Sequence, residues 1–190
     1  MKKITYILSL LLLSTLAACS SSNSTEIFYD VVSEPDLQAG DAIPAPAGDP
    51  ILTIEGKISN TNVGNTAQFD LKTLESLGLV SYDVDDPFAG DTNVTFTGIL
   101  ISDILDVVGA DPEATEIELV ALNDYAASAT VADTRQYSFM LGIQEDGVAI
   151  PLDGGGPAKV IIPFNDFPDD LDHVTYDAQW VWSMTRIVVK

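Results

Sequence analysis

Few side chains in this sequence are of the kinds that do covalent or redox chemistry. There is one Cys, at position 19, and one His, at position 173. His173 closes the polar run Asp169-Asp-Leu-Asp-His, and with neither a nearby Cys nor a motif-embedded Ser it makes no nucleophilic triad. It reads as a solvated loop residue. One Cys also excludes zinc or iron–sulfur sites built from several thiolates. The run Asp83-Val-Asp-Asp-Pro-Phe-Ala-Gly-Asp91 has carboxylates enough for calcium, but not the Gly at the sixth and the Glu at the twelfth position of an EF-hand loop. No spacing rule locates a pair of glycosidase carboxylates. Asn123-Asp124 has the composition of a turn, Gly155-Gly156-Pro157 that of a shaped loop, and Trp180 and Trp182 are large apolar surfaces near the C-terminus.

Charge narrows the partners. Over 190 residues, 8 Lys and Arg stand against 29 Asp and Glu, a formal net charge of −21. Phosphate neutralisation needs clustered cations, so nucleic acid is excluded as a partner. With 46% hydrophobic residues the chain has enough apolar material for one globular core and is not a disordered acidic chain.

The elements that must position any site follow from periodicity. Residues 51–56 alternate apolar and polar as a strand does. Residues 69–78 predict a short helix with Asp70 or Thr73 as N-cap and Gly78 closing it. Residues 79–84, 116–122 and 125–131 read as strands, and 100–108 as a second helix entered from 93–98. Residues 133–140 form a short helix or loop, Asp146-Gly147 signals a hairpin, and Lys159-Val-Ile-Ile-Pro163 has the uniform apolarity of a buried strand. Residues 179–189 predict the last strand, which by alternation sets Trp180 and Trp182 on one face. Strands dominate and the helices are few, which predicts an α+β domain with a mixed sheet.

The first residues are of a different character. Met1-Lys2-Lys3, an apolar run from Ile4 to Leu13 and small residues after it have the build of a secretory signal, and the run is too short to span a bilayer comfortably. Leu16-Ala-Ala-Cys19 resembles the bacterial lipobox. The resemblance implies a signal peptide over 1–18, lipidation of Cys19 and anchoring, and Ser20 after the Cys implies the periplasmic side of the outer membrane. Cleavage would leave 6 basic against 29 acidic side chains, a net of −23. Residues 19–50, Ser-rich, then acidic, then rich in Pro, Ala and Gly, predict a flexible tether, and the domain proper is expected over 51–190.

Within that domain Thr97-Gly98-Ile-Leu, Asp103-Ile-Leu, Ala121-Leu-Asn-Asp-Tyr125, Asp146-Gly147, Gly155-Gly156-Pro157 through Pro163 and Trp182 to Ile187 occur in one order. The ordered set resembles the molybdopterin-binding domain of the sulfite-oxidase type, in its short stand-alone bacterial form. Asn123-Asp-Tyr and Phe164-Asn-Asp-Phe-Pro168 resemble the short secreted members in particular. The resemblance implies a sulfite-oxidase-like fold and a pterin or molybdopterin ligand, with Asn123, Asp124, Tyr125, Gly156, Lys159, Asp166 and Trp182 at the site. Catalytic members hold molybdenum through a Cys thiolate, a soft ligand for a soft metal. This chain has no Cys after position 19, and its residues 80–88, where that ligand is expected, read Val-Ser-Tyr-Asp-Val-Asp-Asp-Pro-Phe. For the cofactor's phosphate only Lys159, Arg135 and Arg186 come into question, and the net negative charge repels an anion. The expected ligand is therefore a simple pterin, with molybdenum disfavoured and no catalytic residue assigned. The expected role is a ligand sensor contacting the periplasmic part of a membrane signalling protein. Two alternatives stay open: a molybdopterin-dependent oxidoreductase subunit, and a scaffold lipoprotein with a vestigial pocket.

Overall fold

The computed structural model describes residues 28–90 and 92–190. The expected signal segment and cleavage site, with Cys19, lie outside the described residues.

Apolar alternation resolves into two sheets. In the first, β1 (Asp30–Ser33), β4 (Leu79–Asp86), β5 (Thr92–Leu100), β8 (Met140–Glu145) and β10 (Lys159–Ile161) are neighbours in that order, and β9 (Val148–Ala149) pairs with β8. Every pairing in it is antiparallel. The second sheet has the order β3 (Ala67–Phe69), β2 (Leu52–Gly56), β11 (Met184–Val189), β6 (Glu116–Ala121) and β7 (Ala126–Thr130). Here β11 runs parallel to β2 and antiparallel to β6, so this sheet is mixed. Among the described residues four short α-helices complete the fold: α1 (Leu71–Glu75), α2 (Ile101–Val107), α3 (Val131–Gln136) and α4 (His173–Tyr176). The class is the expected mixed α+β one.

Local chemistry explains the joints. Asp70 is the N-cap of α1, its Oδ1 accepting the Thr73 N–H at 2.9 Å, while its Oδ2 accepts from Ala47 and Gly48 at 2.8 and 2.9 Å. One carboxylate thus starts a helix and ties a preceding loop to it. At the β8–β9 hairpin Asp146 and Gly147 both have positive φ, 48° and 76°, the primed geometry whose twist matches the strands. Gly98 sits at a register shift between β5 and β8, where a Cβ would lie 2.1 Å from the Leu141 carbonyl oxygen. No larger residue fits that approach. Phe69, Phe96, Phe139, Leu52, Ile54 and Ile99 are fully buried, and β10 is buried along its whole length, as its uniform apolarity predicted.

Two expectations are corrected. The packed chain begins well before Ile51: β1 pairs with β4, and Leu37 and Ile43 are 8% and 7% exposed within the core. Residues 30–50 are therefore not a free tether. β1 is four residues long and exposed throughout, so no alternation announced it, and Leu37 and Ile43 are single apolar anchors in a polar stretch. The last strand is also shorter, starting at Met184 rather than 179. Residues 177–179 form a 3-10 turn and 180–183 a loop, with Ser183 at φ 51°. Trp180 and Trp182 consequently do not share a strand face: the first is 3% exposed and the second 43%.

Candidate functional site

The loop carrying the two tryptophans bridges the two sheets. Val160 N–H, from β10 in the first sheet, donates to Val181 O at 2.9 Å, and Leu122 N–H, just after β6 in the second, donates to Ser183 O at 2.9 Å. Ser183 N–H donates to Gly155 O at 2.6 Å. These backbone bonds hold the loop from both sheets.

Three more turns converge on it. After β6 the chain reverses through Asn123, whose Oδ1 accepts the Tyr125 N–H at 3.1 Å, and through Asp124 at φ 63°. This is an Asx turn, formed because the short amide side chain imitates a backbone acceptor. Between β4 and β5, Asp86 Oδ1 accepts from Phe88 N–H and Ala89 N–H at 2.8 and 3.2 Å, fixing Phe88 at the turn. After α4, Tyr125 donates its hydroxyl to Ala178 O at 2.9 Å, and His173 Nδ1 lies 2.7 Å from Asp177 Oδ1.

Together these turns enclose an open groove of about 280 Å³ lined by Phe88, Ala121, Asn123, Tyr125, Asp177, Trp180 and Trp182. Its walls are aromatic. Phe88 meets Trp182 edge to face with ring centroids 5.8 Å apart. Trp180 packs edge to face on Phe96 and stacks on Phe164 at 6.0 Å, which in turn stacks on His173 at 4.3 Å. The buried Nε1 of Trp180 and Oε1 of the neighbouring Gln179 have no hydrogen-bond partner among the described residues. Leaving such bonds unmade at buried polar atoms is costly.

Lys159 lies behind Trp182, its Nζ 4.9 Å from the ring centroid. The lysine is 4% exposed and its charge is met by Glu145 in an ion pair. Gly155 makes this approach feasible: its φ is 90°, and a Cβ there would come within 2.9 Å of Lys159 Cε and 3.3 Å of Trp182. Neither of the other two candidate cations lines the groove, since Arg135 pairs with Asp106 and Arg186 with Glu55.

Of the seven residues named from the sequence, the structure gathers Asn123, Tyr125 and Trp182 in the groove, with Lys159 behind Trp182. Asp124 is exposed at the turn and does not line it. Gly156 is buried, and its N–H donates to Pro151 O at 2.9 Å, so it shapes the loop without offering a free donor. Asp166 is elsewhere, beside Asp83, Tyr82 and Thr95 in a separate cavity of about 220 Å³. Partial burial and then the Asp83 charge raise its pKa. Nearby, burial pushes the Tyr82 hydroxyl well up, and that group donates to Ile161 O at 3.0 Å. Phe88, Ala121 and Asp177 were not assigned from sequence. Phe88 stands in the stretch where a ligand-bearing loop was expected, whereas Asp177 had no distinguishing motif.

The family model for the oxidoreductase molybdopterin binding domain matches residues 84–165. Over that stretch, less than half of the chain, the domain is similar to the molybdopterin-binding family. The matched stretch runs from the end of β4 to just past β10; it includes Phe88, Asn123, Tyr125 and Lys159 and stops short of Asp177 and both tryptophans. Among solved structures the chain is similar to the sulfane dehydrogenase SoxCD from Paracoccus pantotrophus, with a TM-score of 0.55 and 16% identity over 73% of this chain. At that identity the likeness is one of fold, and the matched region makes up 37% of that chain. No curated protein matches.

The groove's residues fit one part of a molybdopterin. Aromatic walls with a few polar side chains, Asn123 and Asp177, suit the pterin ring. The metal and phosphate parts find no counterpart: no thiolate exists among the described residues, no three His, Cys, Asp or Glu gather there to hold a metal, and the cation beside the groove is already paired.

Proposed function

We propose that this domain binds a pterin, with its ring in the groove beside Trp182 and without a molybdenum anchor of its own. The observation that carries the reading is the aromatic groove whose only adjacent cation among the described residues, Lys159, is buried and paired with Glu145. An uncharged ring needs no free cation. In this reading Trp182 supplies the stacking surface, while Asn123 and Asp177 supply polar contacts. The role is that of a ligand-loaded module reporting to a membrane signalling protein, anchored by lipid on Cys19 at the periplasmic face of the outer membrane. The lipobox-like Leu16-Ala-Ala-Cys19 supports that placement.

A second reading, a subunit of a molybdopterin-dependent oxidoreductase, is favoured by the family match itself and by the fold likeness to a sulfane dehydrogenase. It requires the metal to be held without a thiolate from this domain, or by one from another chain.

Titration with pterin and with molybdopterin, followed by tryptophan emission, separates the two. Saturable quenching by pterin, weakened by Trp182→Ala, supports the binding module; aromatic stacking of this kind is worth about 1–3 kcal/mol, so roughly five- to 150-fold in affinity. Binding of molybdopterin alone favours the oxidoreductase subunit. Binding of neither leaves a scaffold.

A further inference from the structure

Among the described residues, Asp177 is the one carboxylate that lines the groove. We infer that Asp177 is the residue that reads the ligand's amino and ring N–H edge, and so restricts the groove to 2-amino-4-oxo heterocycles; this rests on the pterin reading above. The geometry of the side chain is prepared for it. His173 holds Oδ1 at 2.7 Å and thereby orients the carboxylate, and the same His is itself fixed by its stack on Phe164 at 4.3 Å. The turn that carries Asp177 is pinned at the next residue, where Tyr125 donates its hydroxyl to Ala178 O at 2.9 Å.

A carboxylate has two oxygens and about four acceptor sites, so the bond to His173 leaves capacity for further N–H donors. The guanidine-like edge of a pterin presents such donors side by side, at the 2-amino group and N3. Bonds of this kind to an ionised acceptor are stronger than neutral ones, and two together fix the ring's orientation. Lumazine has the same bicyclic frame with an oxygen in place of the 2-amino group. Its carbonyl would face the carboxylate lone pairs, with no donor between them. Replacing Asp177 by Asn reverses part of this pattern, because an amide offers a donor to that carbonyl while keeping one acceptor for N3–H.

The test is the ratio of pterin to lumazine affinity, read by tryptophan emission on the wild-type domain, on Asp177→Asn and on Asp177→Ser. A preference for pterin of at least about tenfold is expected in the wild type, which corresponds to one charge-assisted hydrogen bond. In both variants the ratio should fall towards one, with the Asn variant gaining affinity for lumazine. A merely structural role for Asp177 would weaken both ligands alike and leave the ratio unchanged. Equal affinities in the wild type, which need no variant to fold, overturn the inference while leaving the pterin groove standing. An unchanged ratio in both variants does the same. Failure of the wild type to bind either ligand overturns both readings together.

Discussion

Glu145→Gln should destabilise the domain more than Lys159→Met, although the two residues form one ion pair. The Lys159 side chain is 5% exposed and that of Glu145 is 32% exposed. Removing one partner of a fully buried pair costs about 3–5 kcal/mol, because the other charge is left without solvent or counter-charge. Here the vacated Glu145 position is reached by water, so a loss of about 2 kcal/mol is expected. In a domain of this size that lowers the melting temperature by roughly 4–8 °C. Lys159→Met removes the buried charge itself and keeps the apolar stem against Trp182. It forfeits a cation–π contact of about 0.5–1 kcal/mol and leaves a carboxylate that is partly solvated, for a net cost of about 1 kcal/mol. Combining the two should cost no more than about the Lys159→Met change alone, a coupling that a double-mutant cycle measures directly. Thermal unfolding of the four proteins at one pH and salt concentration is the assay. A Glu145→Gln variant that melts within about 1 °C of the wild type, or one more stable than Lys159→Met, would refute the claim that this pair is a neutralised buried cation. The same substitution carries a functional corollary: an unpaired ammonium beside the groove should raise the affinity for a phosphorylated pterin over its unphosphorylated form by about tenfold, or ~1.4 kcal/mol.

The N-terminal stretch and the acid limb of stability give two further outcomes. A domain beginning at Phe28 should be more stable than one beginning at Ile51 by about 3–5 kcal/mol in denaturant unfolding, since the shorter form loses β1 and unburies Leu37 and Ile43; equal stability would mean that residues 28–50 are indeed only a tether. The Asp70 carboxyl is held below the usual range, first by the Thr73 side chain and N–H and then by the Gly48 and Ala47 N–H groups. A depressed folded-state pKa contributes stability that is fully present above the unfolded value of about 3.9 and declines as pH falls below it. Asp70→Asn should therefore narrow the gap in denaturation midpoint between pH 7 and pH 2.5, and an unchanged gap would show that this cap does not titrate with folding.

The sequence by itself determined what depends on local periodicity and on residue type. Alternation located β2 and β6, and uniform apolarity β10; Asp70, one of two cap candidates, and the Asp146-Gly147 turn were legible because each is built from neighbours in the chain. Asn123, Tyr125 and Trp182 were named through motif resemblance, and the three line one groove. Only the tertiary structure decided which candidates share a site. Asp166 and Asp177 are acids in similarly polar stretches, and nothing local says that one faces a separate cavity and the other the tryptophans. That choice is made by the 180–183 loop, whose bonds to β10 and to the end of β6 pull it off the strand pattern and part Trp180 from Trp182. Lys159 likewise looked like a free cation for an anionic ligand, until the pairing of β8 with β10 brought Glu145 within reach of it. Pairings between residues distant in sequence are set by packing of two sheets at once, and a one-dimensional pattern holds no record of them.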